Sequence, residues 1–314
     1  MSQQHYDDGD EQMSTAKESI DEGSSRRFDR FRSFLRDFLT NRKGFAGTLL
    51  LGAVVFISVA APLIAPYDPE AYGVGPALAA PSFEHLLGTD DLGRDVLSRF
   101  FYGGRISLLV GVVSGVVATL VATLIGVPAG YYRGRVGRWI TTAIDMSLVF
   151  PPFVLVVVFA AYAGSSVWNI ILILSLLSWP IPARTIKAKT LSVRENDFVE
   201  STQALGASDL RIMRQEVLPN ILPVVFANGI LQMVYTILME AAVGFLGLGD
   251  TARISWGTML YFAQKQGALS SGAWWWMILP GFGIVLAAFS FILVGSALDE
   301  VLNPRLQRRT WGDD

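Results

Sequence analysis

Apolar runs of membrane-crossing length alternate along the chain with short charged stretches. A helix needs about 20 apolar residues to cross a bilayer core. Runs of roughly that size cover about 45–65, 106–131, 139–163, 168–181, 221–247 and 274–298. The pattern predicts an all-α integral membrane protein with six transmembrane helices. Pro66-Tyr67-Asp68-Pro69 ends the first run, and Asn303-Pro304-Arg305 follows the last. The second run is rich in Gly, Ala, Ser and Thr, which let helix backbones approach closely. Pro151-Pro152 predicts a kink or break in the third, because proline removes a backbone donor. Residues 66–104 read as an external segment. Within it, Val96, Leu97, Phe100 and Phe101 predict a short amphipathic helix along the outer interface, capped by Thr89 or Asp90 and closed by Gly103-Gly104. Trp274-Trp275-Trp276 predicts an aromatic belt at the same interface. No internal repeat is evident, which argues against secondary transporters built from repeats.

Residues 184–219 break the pattern most sharply. Arg184, Lys187, Lys189, Arg194, Glu195, Asp197, Glu200, Asp209, Arg211, Arg214 and Glu216 crowd between two apolar runs. Each such charge costs about 2.5–3.5 kcal/mol at a bilayer centre, so the segment is a solvated loop. Its basic excess places it on the cytoplasmic side. Phe198, Val199, Thr202 and Leu205 recur at helical spacing, and Gly206 follows as a helix terminator. Ser208 or Asp209 then offers an N-cap. Leu210, Met213 and Val217 line a second helix that Pro219 is expected to stop.

Charge orders the remainder. Residues 1–25 are polar and acidic and predict a disordered tail. Residues 26–43 are basic with interspersed Phe and Leu, and predict an amphipathic helix lying on an anionic membrane face. Nucleic-acid binding is the rival reading, and the span that follows at once argues against it. The division is completed by a membrane domain over 44–309 and a tail over 310–314. Outside the cytoplasmic loops only Arg94, Arg99, Arg105, Arg253 and Lys265 are basic, so both termini are expected to be cytoplasmic. The 314 residues are 52% hydrophobic and only 17% charged, below the roughly 25% of soluble domains. There is no cysteine, which excludes disulfides and thiolate metal sites.

Candidate chemistry is sparse. No Gly-x-x-x-x-Gly-Lys-Ser/Thr loop is present to cradle ATP phosphates. The only histidines, His5 and His85, read as tail and loop residues. Gly247-Leu248-Gly249-Asp250 raises an intramembrane aspartyl protease, with Asp145 as the second acid. Two such carboxyls must lie about 3 Å apart, and these fall at opposite ends of their spans. Glu240 is an intramembrane carboxylate, and such groups serve pathways or pair with a neighbour. It is a candidate for a pore or ion-pair role, with Arg105 or a partner chain opposite it. No catalytic residue, metal ligand or cofactor is expected.

Glu200-Ser201-Thr202-Gln203-Ala204-Leu205-Gly206, ending in Leu218-Pro219, resembles the EAA loop of permease subunits of ATP-binding-cassette importers. Ser201 and Thr202 stand where that pattern has alanines. His85-Leu86-Leu87-Gly88-Thr89-Asp90-Asp91-Leu92-Gly93-Arg94-Asp95, Phe245-Leu246-Gly247-Leu248-Gly249, Ser255-Trp256-Gly257 and Asn303-Pro304-Arg305-Leu306 narrow the likeness to the second permease of dipeptide, oligopeptide and nickel importers. It extends over about residues 28–309. Departures are Gly244, where serine is usual, and 250–254, which replace a proline-rich stretch. The resemblance implies the type I importer permease fold in the plasma membrane and half of a translocation pore, without enzymatic activity. It implies a second permease subunit, two cytoplasmic ATPases, an extracellular solute-binding protein and surrounding lipid as partners. Glu200, Ala204, Leu205, Gly206, Leu218 and Pro219 become the ATPase-coupling residues. Peptides are the leading solute, with nickel chelates, glutathione or oligosaccharides as alternatives.

Overall fold

The computed structural model describes Ser33 and residues 36–302. The acidic tail, the C-terminal tail and half of the basic segment over 26–43 lie outside the described residues. Among the described residues every regular element is helical.

Helix α1, Arg42–Val59, starts at Asn41, whose side chain accepts from the Lys43 and Gly44 backbone N–H groups. It packs against the last helix through bare backbone: a Cβ on Gly47 would lie 2.8 Å from that of Leu293. Glu300 ties the two together by accepting from Asn41 Nδ2 at 2.8 Å and pairing with Lys43. A single turn, α2 (Ala61–Ile64), leads into the folded segment 66–95.

Helix α3, Val96–Tyr131, runs unbroken for 36 residues. The short interfacial helix expected before Gly103-Gly104 is therefore the first turns of this span. Asp95, rather than Thr89 or Asp90, caps it by accepting from Ser98 N at 2.8 Å. The two glycines do not terminate it, because their role is close packing. A Cβ on Gly104 would come within 2.9 Å of the Trp256 ring and 2.3 Å of Ser58 Oγ.

The third apolar run divides into α4, Gly134–Ser147, and α5, Pro152–Ala163, bent by 75°. Pro151-Pro152 removes two donors in succession and keeps the preceding residue out of the helical region. Helices α6 (Val167–Leu177) and α7 (Pro180–Arg194) follow nearly end to end. Next come α8 (Asp197–Ala204), the single turn α9 (Asp209–Ile212), a wide π turn over Met213–Val217, and α10 (Leu218–Phe245). Pro219 does not stop the second loop helix. It lies in the first turn of α10, directly after the wide turn and with helical residues on both sides, and the path from Asp209 to Phe245 continues as one apolar span. Helix α11, Trp256–Lys265, carries a capping box between Ser255 and Thr258, and α12, Trp274–Leu302, completes the bundle. Five helical paths are long and apolar enough to cross a bilayer, and the bent pair brings the number to as many as six.

At one end, residues 66–95 and α11 form a cap. Trp275 and Trp276 are buried in it, with Trp275 Nε1 donating to the Thr89 carbonyl at 3.2 Å. Of the expected aromatic belt only Trp274 is exposed. His85 is no ordinary loop residue: it is buried, its Nδ1 is 3.0 Å from Asp95 Oδ1, and its ring lies 4.9 Å from that of Tyr67. The charged loop 184–219 occupies the other end.

Candidate functional site

The loop is held from beneath and bare on top. Val199, Ile212, Met213 and Val217 are buried against Tyr131 of α3, Ile144 of α4 and Ile186 and Val193 of α7. Their spacing puts one apolar face toward the bundle. Two polar contacts fix the clasp. The Tyr131 hydroxyl donates to Asp209 Oδ1 at 3.0 Å, and the Arg194 guanidinium lies 5.8 Å from the Tyr131 ring centre.

Above that anchor, Glu200, Ala204, Leu205 and Gly206 share one exposed end. Leu205 is 87% exposed, a large apolar side chain with nothing against it. Gly206 has φ +82°, and nothing lies within 4 Å of where its Cβ would be. That conformation costs a non-glycine residue about 1–2 kcal/mol. The hydroxyls that replace the motif's alanines fold back on their own helix: Ser201 Oγ donates to the Asp197 carbonyl and Thr202 Oγ1 to that of Phe198, both at 2.8 Å. They leave the helix surface close to the alanine form. Leu218 and Pro219 lie apart, at the start of α10. Leu218 packs on the buried cluster and Pro219 is exposed. The structure therefore gathers four of the six expected residues on one surface. Beside them, Ser208, Leu210, Arg211, Arg214 and Gln215 line an open groove of about 550 Å³. The Tyr131–Asp209 clasp carries no local sequence signal, since its partners are 78 residues apart.

Glu240 is buried on α10, far along the helix from the loop. Its Oε2 accepts from Ser107 Oγ at 2.9 Å, and the same hydroxyl accepts from the Trp256 backbone N–H at 3.1 Å. One serine thus joins α3, α10 and the start of α11. The expected ion pair with Arg105 is not made. Positions two apart on a helix point to different faces, so when Ser107 turns inward Arg105 turns out, where it lies 5.7 Å from the Tyr102 ring centre. Beside Glu240 is a water-sized space of about 10 Å³ that Asp250 and Ser255 also line. Asp145 sits at the opposite end, 3.6 Å from Arg184 Nη2. The two aspartates of the protease reading are not brought together.

Residues 122–308 match the family described as binding-protein-dependent transport system inner membrane component, and residues 30–81 match the N-terminal transmembrane domain of oligopeptide transport permease C. The di/tripeptide transport system permease protein DppC of Pseudomonas aeruginosa is 35% identical, aligning 88% of this chain with 92% of that one. The dipeptide transport system permease protein DppC of Alkalihalophilus pseudofirmus is 33% identical, over 88% and 90%. Among solved structures, an inward-facing form of the MetNI methionine ABC transporter superposes with a TM-score of 0.52 at 18% identity. It covers 64% of this chain and 96% of that one, a likeness of fold.

Proposed function

This chain belongs to the inner membrane components of binding-protein-dependent transport systems, and from that premise we propose that it is the second permease of a peptide importer. Its relatives carry di- and tripeptide names along nearly their whole length, which favours peptides over nickel chelates, glutathione or oligosaccharides. It forms half of a pore with a second permease, receives solute from an extracellular binding protein and is driven by two cytoplasmic ATPases. The basic segments at 26–43, 133–138 and 184–214 face the cytoplasm, with both termini, and the cap faces outward.

In this reading the exposed end of the loop is the ATPase seat. The bare Leu205–Gly206 end carries the proposal: a large apolar side chain and a left-handed glycine stand exposed at the tip of a loop whose base is firmly packed. Closure of the ATPases displaces α8. The Tyr131–Asp209 clasp and the wide turn pass that displacement to α3 and α10, which swing the pore between inward-open and outward-open.

Gly206→Val tests the seat in the assembled importer. The spans are untouched, so membrane insertion is unchanged. Strain at φ +82° and a branched side chain at the contact cause loss of the ATPases on co-purification, or hydrolysis without uptake in proteoliposomes. Glu200→Ala has a smaller effect, because one exposed polar contact contributes at most about 1–3 kcal/mol. A Gly206→Val importer that keeps its ATPases and transports at the wild-type rate makes the loop an ordinary connection.

A further inference from the structure

A cavity of about 1160 Å³ opens between α1, α3 and the cap, and its lining is divided by polarity. Its lower wall is an apolar strip from two spans, Val55 and Val59 of α1 and Leu109, Val112 and Val113 of α3. Its rim carries both signs of charge: Arg105 and Arg253 as guanidiniums, Asp68 and Glu70 as carboxylates. Neither guanidinium makes an ion pair with any described residue; Arg105 lies only over Tyr102. The rim is built rather than loose. The Tyr67 backbone N–H donates to Ser98 Oγ at 3.1 Å, and buried Arg99 donates through Nη1 to the Pro69 carbonyl at 2.8 Å. These two bonds fasten residues 67–69 over the start of α3 and hold both carboxylates at the cavity mouth.

We propose that this cavity binds one phospholipid with a primary-ammonium headgroup, of the phosphatidylethanolamine class. An acyl chain lies along the Val55–Val113 strip, where both span surfaces are apolar. The phosphate meets Arg105 and Arg253, for which a guanidinium fork is well shaped. The ammonium, a few ångströms from its phosphate, donates to Asp68 and Glu70. A choline headgroup has no N–H to donate there, and a glycerol headgroup has no cation. The order of retention is therefore ethanolamine first, then choline or glycerol. This site stands apart from the ATPase seat and does not depend on the solute carried.

Native mass spectrometry of the full chain, purified within its importer and stripped of lipid, reads the order directly. The added probes are phosphatidylethanolamine, phosphatidylcholine and phosphatidylglycerol of identical acyl chains. Phosphatidylethanolamine is retained over the other two by roughly two- to fivefold, the range of a partly exposed charge pair. Arg105→Gln with Arg253→Gln lowers retention of all three, whereas Asp68→Asn with Glu70→Gln removes the preference for ethanolamine over choline. All four side chains lie at the surface of the cavity, and co-purification of the ATPases checks that each variant is assembled. Equal retention of the three lipids by the wild-type importer overturns the proposal. So does retention that neither double variant alters. A single cysteine at Val59, in this cysteine-free chain, adds a third arm. If Val59→Cys, labelled with a thiol-reactive photo-cross-linker, joins efficiently to the second permease on illumination, a protein helix fills the cavity and the lipid reading fails.

Discussion

Glu240 is a buried carboxyl group whose partners among the described residues are hydroxyls rather than a cation. Ser107 serves it and the Trp256 backbone at once, so loss of one oxygen leaves two groups short of a partner. A buried polar group left unsatisfied costs about 1–3 kcal/mol. Ser107→Ala therefore lowers the melting temperature of the detergent-solubilised importer, whereas Glu240→Gln, which keeps a carbonyl oxygen for Ser107, lowers it less. Melting curves that place the two variants in the opposite order remove the serine from its bridging role. The carboxylate itself was legible in the sequence, because a lone acid in an apolar run stands out. Its partner was not. Serine is unremarkable among small residues, and the charged Arg105 two positions away attracted the pairing instead. His85 shows the same limit, since nothing in the loop text around it announces burial against Asp95.

At the scale of elements, the lengths of the apolar runs located the five crossing-length paths and the bent pair, and the glycine bend at Gly206 lies where helix-ending chemistry placed it. Punctuation residues were the ambiguous letters. Gly103-Gly104 reads as a stop, but glycine also permits close helix contact, and only the presence of Trp256 decides between the two. Pro219 reads as a stop, but proline is equally at home in a first turn. The fourth apolar run ends near residue 181 because charges begin at Arg184, whereas α7 continues into the charged loop to Arg194. A helix there needs no apolar letters, only a buried stripe, which Ala183, Ile186, Thr190 and Val193 provide. In the proposed coupling, the joint between elements that passes on motion is Tyr131 with Asp209. Tyr131→Phe keeps the packing and removes the donor. It is expected to leave ATPase attachment intact and to lower uptake per ATP hydrolysed in proteoliposomes. An unchanged ratio would show that the clasp carries no motion.

The whole molecule has two unlike ends, a folded cap and a charged loop, joined by a bundle whose outward faces are largely apolar. The proposed orientation rests on the basic loops, and the absence of cysteine makes it directly measurable. Ser271→Cys, on the exposed turn before α12, should react with an impermeant thiol reagent in intact cells, and Ser192→Cys should react only after lysis. Labelling of Ser192→Cys from outside would invert the assignment of the two ends. Between those ends, the wide turn at Met213–Val217 has an implication for chain length. A π turn holds one residue more than the α-helix it interrupts, with the flanking helices in phase on either side. The chain could be one residue shorter there, and the loop would still face the same way. Loss of one residue within α10 would instead rotate everything before it by about 100° relative to the rest of the span. The molecule thus has a single place on this path where loss of one residue leaves the loop's direction unchanged.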